Sequence, residues 1–416
     1  MRLGLGIGLA RRSASRMDAD ALAYINALAA DGYPLEAPEQ SYINKLVTDF
    51  KSAGIWSKMK AIYPYCTSQR NLIGYSEDFG NASWVKSDGA NVVTNQTTAP
   101  DGTLTADLLQ FGSNELSRCQ QYPFANATYT FSFWIKTVTG TTTIRFGNWD
   151  NLEVFNVTND WQRINVTKTA TNNGVFTIRN NAAGNSSNVY IWGAQLELGS
   201  TATTYQPVAT TASTVFASQF KYNLKDPRNL DAAFRQVFNG GWTYSKQGAT
   251  PNGTNGYADT KLVPSSVLQL NSVSHSVYSR SASPTGIIGG VNDVSNYLIL
   301  NTPTTLSITS QLNTIGADFI TGVVTNLQGL LMANRTSSSV VNAWRNSTKV
   351  ATDSKNSTSQ PTTNYFVGAR NNGGSASGFD AKQYGFYHIG DGLSDSEASA
   401  MYTAVQTFQT SMQRQV

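Results

Sequence analysis

The sequence predicts a mainly β protein: two antiparallel β-sandwiches of jelly-roll type, one inserted in the other, with a short N-terminal helical segment and a C-terminal helix. Three observations carry this. Between residues 71 and 208, short runs rich in β-branched and aromatic residues recur at near-regular spacing (YTFSFWIKTVT, TTTIRFGNW, WQRINVTKTAT, VFTIRN and VYIWGAQLEL), parted by Asn-Gly, Gly-Asn and Asn-Asp pairs. The texture changes on both sides of that stretch, at Gln69 and after Thr211, so the flanking segments are expected to be two halves of one other domain. Charged residues make up 13% of the 416, about half the usual share, which leaves Ser, Thr, Asn, Gln and Gly to cover the surface.

The same composition excludes several classes. An uncharged polar surface suits extracellular β proteins and virion parts, and suits poorly an α/β enzyme built on charged clefts. A net charge of +4 is too small to argue for nucleic acid or an anionic membrane. No apolar run reaches membrane-spanning length, so membrane insertion is not expected. Arg2 is followed by no continuous apolar stretch and no clear cleavage site, so a signal peptide is not expected either. Cys66 and Cys119 form no metal or redox motif, and His275 and His388 lie far apart. HExxH, GxSxG, Walker and GxGxxG patterns are all missing from the sequence.

In chain order, residues 1–16 open with MRLGLGIGL. Leu3, Leu5, Ile7 and Leu9 alternate with glycines, giving a strand with one apolar face and one bare backbone face that would dock onto a partner or onto copies of itself. Residues 17–67 read as a helical spacer leading into the outer sandwich. Asp18 or Asp20 caps a first helix carrying Leu22, Ile25 and Leu28, and Gly32 ends it. Ser41 begins a second, with Tyr42, Ile43, Leu46, Val47 and Phe50 on one face and Gly54 as its stop. Residues 68–211 are the inserted jelly roll, closed by YIWGAQLELG. Residues 212–416 are the main body of the outer sandwich, ending in a helix over 394–412 that starts at the capping box Ser394-x-x-Glu397.

Two stretches carry a resemblance. NLIGYSEDFGNASWVK, APDGTLTADLLQ, YTFSFWIK and VYIWGAQLELGSTATTYQP, in this order between Asn71 and Pro207, resemble the carbohydrate-binding-module-like domain of many tailed-phage structural proteins. FKYNLKDPRNLDAAF and the closing FDAKQYGFYHIGDGLSDSEASAMYTAVQTF resemble concanavalin A-like, laminin-G-like domains as they occur in phage virion proteins. There a KAIYP-type segment (here Lys60 to Pro64) usually runs almost directly into an FNLKDP-type segment (here Tyr222 to Pro227), and in this chain the jelly roll separates them. The resemblance implies a virion protein, a capsid or tail fibre or decoration subunit, joined to other virion proteins through the arm. It further implies a trimer and adhesion to host surface glycans. An architectural subunit without glycan affinity is the alternative, and a polysaccharide-degrading enzyme a more distant one. It also implies a structural calcium ion between first and last strands, with Glu77 and Glu197, joined by Asp101, as ligands.

Catalysis is not expected. Glycoside hydrolysis needs two carboxylates facing one sugar, and the E-x-D-x-x-E strand pattern that would provide them is missing. Glu77 and Asp78 are adjacent and would face opposite ways on a strand, while Asp391, Asp395 and Glu397 belong to a turn and a helix cap. Binding has better candidates, because sugars stack on aromatic faces and hydrogen-bond to amides and charges. Trp149, in the loop-like FGNWDN, is the first choice for an exposed aromatic and Trp84 the second, with Asn148, Asp150 and Arg145 beside Trp149. Strand alternation puts Phe131, Phe133 and Ile135 inside and Trp134 outside. Arg370, Asn371 and Asn372 read as a loop before Gly373.

Overall fold

The structure, a computed structural model, describes residues 17–416 apart from 172–173, 185–187, 283, 294–295, 304 and 316–318. The arm residues Leu3, Leu5, Ile7 and Leu9 lie outside the described residues. The fold is mainly β, built of antiparallel sheets paired as sandwiches. The chain divides into two compact units: one holds the chain up to Ser68 together with Ala217–Val416, the other is Gln69–Phe216.

In the first unit, helix α1 (Ala19–Ala30) is capped by Asp18, whose carboxylate accepts from the Asp20 N–H at 3.0 Å. Helix α2 (Ala37–Ser52) begins four residues before the expected Ser41, because Pro38 fits its first turn, where no N–H is needed. It ends in a Schellman motif: Gly54 has φ 73°, and the Gly54 and Ile55 N–H groups return to Lys51 O and Phe50 O, each at 3.0 Å. These helices are not a spacer. Ile43, Val47 and Phe50 join Met401, Val405 and Phe408 of the closing helix (Asp395–Ser411) over Tyr278, Leu330, Met332 and Phe386 of a sheet. Their apolar stripes therefore cover one face of the sandwich.

That sheet has eight strands among the described residues and contains β1 (Met59–Tyr63), paired antiparallel with Tyr384–Gly390 so that Ile62 faces His388. Beside β1, Leu224 N donates to Ile62 O at 2.8 Å and Ile62 N donates to Asn223 Oδ1 at 2.9 Å. The second sheet has nine strands and centres on Gly286–Asp293, Asn296–Thr302 and Ser307–Ile315. Arg370–Asn372 is not a loop: it is a short strand parallel to Gly290–Asn292, with Asn371 buried.

The second unit is a sandwich of ten strands among the described residues: β2 (Val85–Ser87), β3 (Asn91–Thr97), β4 (Ala106–Gln110), β5 (Arg118–Phe124), β6 (Thr128–Thr137), β7 (Thr142–Asn148), β8 (Asn151–Val157), β9 (Gln162–Thr169), β10 (Gly174–Asn180) and β11 (Asn188–Leu198). They form two five-stranded sheets, β2-β5-β10-β7-β8 and β3-β4-β11-β6-β9. Phe131, Phe133 and Ile135 of β6 meet Ile144 and Phe146 of β7 and Phe176 and Ile178 of β10 between the sheets. Asn71 ties entry to exit, its amide donating to Ala194 O and to Gln206 O, both at 2.9 Å. The stretch after Thr211, expected to belong to the outer sandwich, begins with a helix at Ala212–Phe220.

Candidate functional site

Alternation decides what the β2-β5-β10-β7-β8 sheet shows on its outward face. Cys119, Ile144, Phe146, Phe176 and Ile178 point into the core, so their neighbours point out. Pairing then sets those neighbours side by side: Arg179 of β10 lies directly opposite Arg118 of β5 on one flank and Arg145 of β7 on the other. One step along the sheet, Thr177 lies opposite Gln120. Val85 (39% exposed), Tyr122 (50%) and Val154 (57%) belong to the same face. Trp149, 37% exposed, occupies the two-residue turn between β7 and β8. Its ring lies 4.5 Å from the Arg118 guanidinium and 5.6 Å from that of Arg179.

Local sequence makes this turn. Gly147 has φ 141°, a backbone state that side chains rarely adopt, and a Cβ there would come 2.9 Å from Asn151 O. The Asn148 side chain is folded back, its Oδ1 accepting from Val175 N at 2.8 Å, which pins the hairpin to β10. Arg118 is held by Asp88, by Gln120 Oε1 at 3.1 Å and by Leu116 O at 3.0 Å. Arg179 Nε donates to Glu115 O at 2.8 Å and Arg145 Nε to Asn181 Oδ1 at 3.1 Å. Each arginine is thus oriented by a fixed acceptor. Burial, followed by the neighbouring Arg145 charge, lowers the Arg179 guanidinium below its ordinary range.

Among the residues singled out from sequence, Trp149, Asp150 and Arg145 come together here, with Asp150 exposed in the turn. Asn148 is buried and structural. Trp84 is not a binding residue. It is 1% exposed, its Nε1 donates to Tyr75 O at 3.0 Å, and its ring lies 4.5 Å from Phe79 and 5.6 Å from Phe176. Arg118, Arg179 and Tyr122 were missed. VFTIRN, which holds Arg179, shows strand character but not its partners, and RCQQYPF, which holds Arg118 and Tyr122, is not among the runs read as strands.

The other sheet has a different exterior. Trp134 and Trp192 are 5.3 Å apart and Tyr205 closes on both, at 5.5 and 4.9 Å, in a cluster with Trp161, Ala99 and Ala106. Arg163 covers Trp134 at 4.7 Å and Lys136 covers Trp161 at 4.9 Å. Most of this aromatic surface is spent on packing.

The residues expected to hold calcium do not fit the ion. Glu197 is buried and both its oxygens are taken, by Thr203 N at 3.0 Å, Thr203 Oγ1 at 2.5 Å and Gln195 Nε2 at 2.7 Å. Glu77 accepts instead from Tyr205 OH at 3.0 Å, and burial raises its carboxyl above the usual range. Calcium needs six to eight oxygens, and among the described residues no group of three His, Cys, Asp or Glu gathers for a metal.

The histidines are core residues. His275 Nδ1 meets Tyr365 OH at 2.7 Å and His388 Nδ1 meets Ser276 Oγ at 3.0 Å. Burial pushes both imidazoles down to about 3. Both cysteines are buried and unpaired, their thiols pushed up to about 12. Among the described residues no helix is long and apolar enough to cross a membrane.

No protein-family model matches the chain, and no curated protein matches it. Among solved structures, the CBM22-1 xylan-binding domain from Paenibacillus barcinonensis aligns over 33% of this chain and 100% of its own, at 12% identity and a TM-score of 0.26. The family 11 carbohydrate-binding module from Clostridium thermocellum, solved with a mixed-linked tetrasaccharide, covers 32% of this chain and 95% of its own, at 14% identity and a TM-score of 0.23. The enzymatically active domain of tailspike protein 4 from bacteriophage CBA120 covers 31% of this chain and 21% of its own, at 18% identity and a TM-score of 0.23.

Proposed function

We propose that this chain is a non-catalytic, glycan-adhering structural subunit of a tailed-phage particle, and that the outward face of β2-β5-β10-β7-β8 is its adhesion surface. One observation carries the adhesion: four exposed apolar or aromatic side chains, Val85, Tyr122, Trp149 and Val154, share one sheet face with three oriented arginines. Val85 and Val154 stand on the two edge strands with the arginines on the strands between them, and an aromatic face such as Trp149 with donors beside it suits a sugar's C–H surface and hydroxyls. The burial of His275 and His388 supports binding over catalysis.

The particle assignment rests on the sequence resemblance, with Leu3, Leu5, Ile7 and Leu9 as the joint to other virion proteins or within a trimer. Removing residues 1–16 and measuring mass in solution tests that joint: a shift from trimer to monomer supports it, and an unchanged mass removes it. The adhesion is tested by printing the full chain and its Trp149→Ala variant on a glycan array. The expected result is retention of selected polysaccharides by the parent and roughly tenfold or greater loss in the variant. An array without any retained glycan leaves the architectural alternative.

A further inference from the structure

The arginine row goes beyond what a neutral sugar requires. Arg118, Arg179 and Arg145 occupy directly opposed positions on three adjacent strands, where like charges repel. Asp88 pairs with Arg118, and among the described residues neither Arg179 nor Arg145 has an ion-pair partner. The other acids nearby form no ion pair with them: Glu115 offers Arg179 its main-chain oxygen while its charge and that of Asp88 offset the row only through space, and Asp150 is exposed in the turn. With each Nε already bonded, the terminal nitrogens of Arg145 and Arg179 have no hydrogen-bond partner among the described residues. In the next row the Thr177 hydroxyl is fully buried and also lacks a partner.

Resting on the adhesion reading above, we infer that the glycan held on this face is acidic, a polyuronate-type chain whose carboxylates pair with Arg179 and Arg145 while a sugar ring stacks on Trp149. The guanidinium fork matches a carboxylate with two parallel N–H···O bonds. Strands lie about 4.8 Å apart, so the row extends charge over ~10 Å from Arg118 to Arg145. That length addresses more than one sugar residue. A single charged end group would engage only one of the three.

The test uses the full chain with three polymers: polygalacturonate, its fully methyl-esterified form and dextran sulfate. By affinity electrophoresis, polygalacturonate is expected to bind at least about tenfold tighter than the ester. Arg145→Gln and Arg179→Gln should each lower that affinity roughly tenfold, the scale of one charge-assisted hydrogen bond, with the thermal melt unchanged. Lys136→Gln removes the same charge from the other sheet, beside Trp161, and should change neither. Equal binding of acid and ester, untouched by the arginine variants, overturns the inference and leaves glycan adhesion standing. Dextran sulfate binding as tightly, weakened as much by Lys136→Gln, reduces the row to general charge attraction. Failure of all three polymers overturns the acidic assignment, and the array then decides whether neutral glycans still bind.

Discussion

Trp149 and Trp84 carry the same side chain into opposite surroundings. Trp84 fills the space between Phe79 and Phe176 and spends its N–H on Tyr75 O. Trp84→Ala should therefore destabilise the jelly roll by about 3–5 kcal/mol, the usual cost of emptying a large core aromatic. Trp149 fills no core, so Trp149→Ala should leave the melt unchanged and remove glycan binding. Equal loss of stability in the two variants, measured by denaturant titration, would contradict this. The sequence could rank Trp149 first because Gly-Asn and Asp-Asn flank it as turn residues. It could not bury Trp84, whose NASW context has no strand period and whose partner Phe176 arrives much later in the chain.

At the scale of elements, register does what composition cannot. Strand character is readable in TTTIRFGNW and VFTIRN but RCQQYPF is not among the runs read as strands, and the arginine row exists only because β10 pairs with β5 and β7 in one register. A shift of one residue would turn the row to the other face. Gly147→Ala tests the hairpin that aims Trp149: a Cβ against Asn151 O should displace the turn and weaken binding several-fold, read on the same array. A second element was hidden in the polar tail QRQV. Arg414 is buried, its guanidinium lowered to about 10 by desolvation, and it donates to Pro64 O at 2.7 Å, Tyr65 O at 2.8 Å and Gly385 O at 2.6 Å. Arg414→Leu strands the buried Pro64 and Tyr65 carbonyls, while Gly385 O keeps its bond from Gln409 Nε2 at 3.1 Å, so the unit built from both chain ends should lose on the order of 3 kcal/mol. Calorimetry showing an unchanged melt would mean that those carbonyls find other donors.

For the whole molecule, the two units should answer acid in opposite senses. In the unit built from both chain ends, His275 and His388 stay neutral down to about 3 when folded, whereas unfolded imidazoles bind a proton near 6.5. Their contribution is complete above about 6.5 and is lost as pH falls toward 3. In the jelly roll, burial pushes the Asp107 carboxyl up to about 6, although Phe79 N and Asn95 N hold it at 2.8 and 2.9 Å. The folded state then keeps a proton that the unfolded state releases near 3.9. This contribution grows as pH falls from about 6 to 4 and fades as pH rises again. Calorimetry of the full chain between pH 7 and 5 should show one endotherm falling while the other holds or rises, and Asp107→Asn should remove the rise. Endotherms moving down together would contradict the assignment. The change of texture at Gln69 and after Thr211 was visible because Asn, Gly and β-branched residues set the spacing of a jelly roll. The helix Ala212–Phe220 was not, because ASTVFASQF is rich in Ser and Thr, shows no strong helix signal, and takes its helix from context.

The adhesion face itself is the central claim, and the two exteriors of the jelly roll offer its most direct measurement. Trp149→Ala alters one sheet face, and Trp161→Ala alters the other, where Trp161 lies in the packed cluster under Lys136. Both full-length variants are titrated calorimetrically with the polysaccharide that the parent chain retains best on the array. The expected result is that binding heat disappears for Trp149→Ala and persists at parental affinity for Trp161→Ala. Loss of binding in Trp161→Ala with parental affinity in Trp149→Ala would place the glycan on the opposite sheet and contradict the assignment.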